Sequence, residues 1–225
     1  MKSSLRLKYK TGKYILQKEG LIPFIKQGIS FVVRCFFSYE TYYLYRPTLY
    51  EASEVEPTPK IQNFTLEIIS TREQVDELVA NGFDLGFHMI GIEERLNKGA
   101  IAFCVFVERD LAYIAWVAMS EEAKNSLTEL PYPVDFLNGE AYQGWSETSP
   151  RYRRMGIGRY VRFKKLQYLR DRGRTLHPYV VSKSNLTSQE FETKVGAKCC
   201  GEGRYLKLLW WKFWKEKPIG QAKEY

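Results

Sequence analysis

The residues most able to do chemistry lie in one stretch, Pro150-Arg151-Tyr152-Arg153-Arg154-Met155-Gly156-Ile157-Gly158. Gly156 and Gly158 carry no Cβ, so main-chain N–H groups there can come close to a ligand. Apolar residues at 157, 161, 166 and 169 then predict a helix running to Gly173. The start of that helix points free N–H groups and a positive dipole end at the same spot, which suits a diphosphate. No Gly-Lys-Ser/Thr follows, so this is not the nucleoside-triphosphate loop. The dinucleotide fingerprint is also excluded, because the loop falls late in the chain and lacks a third glycine.

Other reactive residues offer less. The four cysteines at 35, 104, 199 and 200 form no Cys-x-x-Cys pair, and there are only two histidines. That composition speaks against a zinc site or a disulfide scaffold, and no metal is expected. The thiols fit a reducing compartment. Cys199-Cys200 lack a neighbouring histidine and read as packing residues, as His88 and His177 read as structural ones.

The elements that must position the loop can be followed along the chain. Strands are expected at 41–50, 63–70, 100–107, 111–119, 140–148, 175–182 and 204–214. Helices are expected at 13–37, after Thr71, at 91–98, after Gly156 and at 187–195. Thr71 and Gln74 form a capping box, and Gly82 ends the helix they start. Residues 51–60, with Pro57 and Pro59, read as a linker, and 120–138 as a long loop. The alternation gives an α/β fold around one mixed sheet. It divides into a basic N-terminal extension, 1–59, and a main domain, 60–225.

Charge sharpens that division. Residues 1–50 carry nine Lys/Arg against two Glu, and 198–225 carry seven against three, while 51–197 is net −3. A general nucleic-acid role is therefore disfavoured, since the basic character sits at the ends. The 13–37 segment has an amphipathic pattern. It packs on the domain or lies on an anionic membrane surface. No secretory signal or membrane span is evident, so the expected location is cytoplasmic, with the inner membrane face as a peripheral site.

Arg153-Arg154-Met155-Gly156-Ile157-Gly158 resembles the Arg/Gln-x-x-Gly-x-Gly/Ala motif of the Gcn5-related N-acetyltransferase (GNAT) superfamily. Thr148-Ser149-Pro150 before it and Asn185-Leu-Thr-Ser188 with Lys194-Val-Gly196-Ala197 after it resemble that family's flanking blocks, over about residues 60–215. The resemblance implies a mostly antiparallel GNAT-like sheet flanked by helices, and acetyl transfer from acetyl-CoA to a primary amine. The acceptor is open, an amino sugar or small amine among the options. It implies cofactor contacts from Thr148, Ser149, Arg153, Arg154, Met155, Gly156, Ile157, Gly158, Arg159 and Asn185. Arg159, Arg162, Lys164 and Lys165 could face a 3′-phosphate, or form a solvated helix face. Glu140 is the first choice of base and Glu147 the second. Many relatives carry a tyrosine acid where this chain has Glu192. A homodimer is within what the family resemblance admits. The alternative is a non-catalytic or membrane-peripheral module that keeps the fold.

Overall fold

The computed structural model describes residues 36–47 and 55–218 of the chain. In chain order the elements are β1 (Phe37–Tyr45), β2 (Phe64–Ile69), α1 (Arg72–Ala80), α2 (Ile92–Asn97), β3 (Ile101–Val107), β4 (Asp110–Ala118), α3 (Glu121–Leu127), β5 (Tyr142–Thr148), α4 (Ile157–Arg170), β6 (Tyr179–Ser182), α5 (Leu186–Lys194), β7 (Cys199–Leu208) and β8 (Trp211–Pro218). The architecture is mixed α/β, with two four-stranded sheets ordered β2-β3-β4-β5 and β6-β1-β7-β8. Every ladder in both sheets is antiparallel.

The first sheet is covered on both faces, which is why β3 is one continuous apolar run rather than an alternating one. On one face Phe103 and Val105 pack with Ile157, Val161 and Leu169 of α4. On the other, Cys104, Phe106 and Trp116 pack with Val75 of α1, Ile92 of α2 and Ala123 of α3. The Thr71 capping box is formed: the Gln74 N–H donates to Thr71 Oγ1 at 3.4 Å and the Thr71 N–H donates to Gln74 Oε1 at 3.1 Å.

The expected strand at 41–50 begins earlier, at Phe37, and its last three residues lie outside the described ones. β1 sits in the middle of the second sheet, pairing with β6 on one edge and β7 on the other. The helix expected over 13–37 also lies outside the described residues, except for Phe36 and Phe37, and Phe37 opens β1. Three further differences have local causes. The expected single mixed sheet is two sheets, because β5 and β6 part company. The 120–138 loop contains α3, capped by Ser120, whose Oγ accepts from the Ala123 N–H at 3.2 Å. The expected strand at 204–214 is a hairpin, turned at Leu209 with φ 56 and lacking the usual Gly or Asn.

No helix among the described residues is long and apolar enough to cross a membrane.

Candidate functional site

The site lies where the two sheets separate. β5 and β6 run parallel and are joined only at their start, where the Ala141 N–H donates to Leu176 O at 2.9 Å and the Gln143 N–H to Pro178 O at 3.3 Å. Beyond Gln143 the strands belong to different sheets. Two open strand edges therefore face each other across a V whose apex is at Gln143. The V widens into a cleft of about 1520 Å³, lined by β5, the turn before α4, α4 itself, β6 and α5.

A bulge shapes the cleft wall. Ser146 stands opposite Ala115 and Gln143 opposite Val117, so Gly144 and Trp145 share the place facing Trp116. Such bulges re-aim side chains and end regular pairing. Gly144 is required there, since a Cβ would come 2.9 Å from Leu127 Cδ1 and 3.1 Å from Trp116 Cβ.

At the mouth of the cleft is the turn into α4. Arg154 (φ 64) and Gly156 (φ 80) adopt left-handed backbone, a sequence of dihedrals that curls consecutive N–H groups into a concavity. The Arg153 N–H reaches back to Pro150 O at 3.5 Å, and the next main-chain donor with a protein acceptor is Tyr160, to Gly156 O at 3.2 Å. Among the described residues, the six N–H groups from Arg154 to Arg159 have no protein acceptor, and all six residues line the cleft. The Lys60 N–H holds the turn from behind, donating to Met155 O at 2.8 Å. This geometry fits an anionic diphosphate, as free N–H groups at a helix start are its natural partners.

The other expected cofactor residues fall in different places. Thr148 lines the cleft, whereas Ser149 does not, and its N–H is committed to Ala112 O at 2.9 Å. Asn185 lines the cleft and caps α5, its Oδ1 accepting from the Ser188 N–H at 3.1 Å. Of the four basic residues of α4 that could face a 3′-phosphate, only Arg159 is exposed on the cleft wall. Lys164 instead bonds Glu56 at 2.8 Å. Arg162 and Lys165 lie at the cleft floor.

The two candidate bases separate clearly. Glu140 is buried and is not on the cleft wall; its oxygens accept from Arg46 Nη1 at 3.2 Å and the Asp135 N–H at 2.7 Å. It ties the end of β1 to the first sheet. Glu147 lines the cleft with its side chain half exposed, 3.8 Å from His88 Nε2. Burial lowers the affinity of His88 for a proton, with Glu147 opposing the shift. Arg95 lies 5.5 Å from the ring centres of both Trp116 and Trp145 beside this corner.

The cleft floor holds a polar cluster whose members the sequence offered only singly, Arg162 and Lys165 for a 3′-phosphate and Glu192 at the acid position, and the structure joins them with Tyr179 and Gln143. Glu192 accepts from Tyr179 Oη at 2.5 Å and from Arg162 Nη1 at 3.0 Å. Burial raises the Tyr179 phenol well above its usual range, with Glu192 adding to the rise and Arg162 opposing it. Lys165 Nζ donates to Gln143 Oε1 at 2.6 Å. One signal marks Lys165 as a buried residue rather than part of a solvated face: it falls four residues after Val161, on the apolar side of the helix. Neither Cys199 nor Cys200 lines the cleft. Among the described residues no group of His, Cys, Asp and Glu could hold a metal ion.

No family model matches the chain, and no curated protein matches it. Several solved structures do. A Drosophila protein matches at 10% identity over 84% of this chain and 58% of its own, with a TM-score of 0.49. A tandem GNAT protein from the clavulanic acid biosynthesis pathway matches at 13% identity over 82% of this chain and 55% of its own, with a TM-score of 0.48. A GCN5-related N-acetyltransferase from Kribbella flavida matches at 12% identity over 80% of this chain and 63% of its own, with a TM-score of 0.47. The chain thus spans between 55 and 63% of the length of these three structures.

Proposed function

We propose that the protein is an acetyl-CoA-dependent N-acetyltransferase that moves an acetyl group directly to a primary amine. One observation carries this reading: six N–H groups, Arg154 to Arg159, without a protein acceptor among the described residues, at the mouth of a cleft between two open strand edges. The turn would hold the diphosphate, and Arg153, Arg154 and Arg159 would add charge. The pantetheine arm would lie along the free edge of β5, whose amides and carbonyls can bond it as a further strand would. A thioester held there is attacked by the acceptor nitrogen, which must first be neutral. Glu147 is the base on this reading, since it is the candidate carboxylate on the cleft wall.

Titrating acetyl-CoA into the full chain by calorimetry tests the cofactor assignment. Binding is expected for the wild type. Gly156→Trp is expected to weaken it at least a hundredfold, because only glycine adopts φ 80 without strain and the indole would fill the turn. Equal affinity in both proteins would overturn the assignment.

A second reading, that the protein also docks on an anionic membrane surface, is favoured by a separate feature. On the outer face of the second sheet, Phe37, Leu208 and Trp211 form one row and Tyr39, Leu206 and Phe213 the next. Five of these six are 48–59% exposed, and Trp210 at the hairpin turn is 75% exposed. Arg204 and Lys215 occupy the following row of the same face. Aromatics bordered by cations suit the interface of an anionic bilayer. Co-sedimentation with phosphatidylserine-containing vesicles is expected for the wild type and largely lost in a Trp210→Ser, Trp211→Ser, Phe213→Ser variant. A wild type that stays in the supernatant would refute it.

A further inference from the structure

The cleft floor contains a lysine with no role in the reading so far. Lys165 is 2% exposed and lines the cleft from below. No carboxylate pairs with it: the Glu192 charge is already engaged by Arg162 and Tyr179, and the Lys165 ammonium reaches only the uncharged Gln143 amide oxygen. His177 lies in the same field, 1% exposed, and among the described residues neither of its ring nitrogens has a hydrogen-bond partner. Burying an amine without a counter-ion is costly, and a methionine would fill the same space without that cost. A buried lysine of this kind in a cleft is therefore a candidate for chemistry.

Its place along the helix narrows the role. Lys165 follows Ile157 by eight residues, which at 1.5 Å per residue puts it about 12 Å below the diphosphate turn. It meets Gln143, the residue at which β5 and β6 diverge. A cofactor with its diphosphate on the turn and its arm along the V brings its sulfur toward that apex. We propose that Lys165 is the proton donor to the coenzyme A sulfur as the thioester is cleaved. This rests on the acetyl-CoA reading above.

The acceptor nitrogen forms a bond to the acetyl carbon, the C–S bond breaks, and its electron pair stays on sulfur. A proton passes from Lys165 Nζ to that sulfur, giving the free thiol. The surplus proton of the acceptor nitrogen goes to Glu147, and Lys165 regains a proton from solvent before the next turnover. Burial, helped by the Arg162 cation and opposed by Glu192, lowers the Lys165 ammonium to about 7. A free thiol titrates at about 8.5, so the transfer runs downhill. Gln143 of β5, Arg162 of α4, Tyr179 of β6, Glu192 of α5 and His177 before β6 surround the exchange. Lys165 holds its proton below about pH 7 and loses it above, so donation fades as pH rises.

Coenzyme A itself, bound to the full chain, is the probe. Its affinity is measured by calorimetry and its thiol is titrated by the ultraviolet absorbance of the thiolate. With residue 165 beside the sulfur, the bound thiol is expected to titrate at least one unit lower in Lys165→Arg, whose cation persists at every pH, than in Lys165→Met, a tenfold change in thiolate fraction at a given pH. Affinity should change less than threefold. Identical thiol titration in the two proteins, with both binding, would overturn the lysine role and leave the cofactor reading standing. Absence of wild-type binding would overturn both. Should Lys165→Met fail to fold, the wild type takes its place, because its Lys165 is neutral where the thiol titrates. The bound thiol must then titrate lower in Lys165→Arg than in the wild type, and failure to do so counts against the proposal.

Discussion

Removing the chain up to Pro47 is expected to leave a protein that does not fold cooperatively. The reason is the position of β1, which supplies the partner for one edge of β6 and one edge of β7. Without it the second sheet is cut in two, and β6 keeps no ladder partner. Leu44 and Tyr45, 3% and 6% exposed, would be lost from the packing as well. Roughly ten backbone hydrogen bonds at a net 0.5–1.5 kcal/mol each already rival the 5–15 kcal/mol that holds a domain together. Leu44→Pro gives the same test without truncation. A proline removes a ladder N–H at about 3 kcal/mol or more, and loss of the buried leucine adds about 2–5 kcal/mol. Urea unfolding followed by circular dichroism checks both; a cooperative transition near the wild-type midpoint in either would show β1 to be dispensable.

Glu147→Gln is expected to lower turnover by about 10²–10⁴ while leaving the melting temperature and acetyl-CoA affinity unchanged. The assay is thiol release with whichever primary amine in an acceptor screen reacts fastest. The amide keeps the size of the side chain and removes its ability to take a proton. Glu140→Gln should do the reverse. Its carboxylate accepts from Arg46 and from the Asp135 N–H in a buried setting, away from the cleft. Losing a charge-assisted bond there costs about 1.5–3 kcal/mol, so the melting temperature should fall by roughly 4–10 °C with turnover changed less than threefold. A large loss of turnover in folded Glu140→Gln, with Glu147→Gln near wild type, would exchange their roles.

Local chemistry was legible in the sequence wherever it depends on near neighbours. The glycine turn, the helix after it and the Thr71 capping box are decided by a few adjacent residues, and each is formed. The buried strands β3 and β4 were legible too, because a run such as IAFCVFV has no other way to leave water. The β7–β8 hairpin was not, since its turn at Leu209 carries no turn-forming residue.

What the chain order could not reveal is which strands meet. Residues 37–45 read as part of an extension, yet they lie between β6 and β7, more than a hundred residues away in sequence. Glu140 and Glu147 stand on one segment and look alike as carboxylates; Arg46 claims the first in a buried setting, and the V between the sheets exposes the second. The Lys165–Gln143 contact and the Arg162–Glu192–Tyr179 cluster join four separate elements. Sequence determined the left-handed turn into α4 and its free N–H groups, because main-chain geometry follows from neighbouring residues. Tertiary structure alone decided which side chains share the cleft and which charges are left there without partners, because burial and electrostatic coupling depend on distance in space and not on distance along the chain.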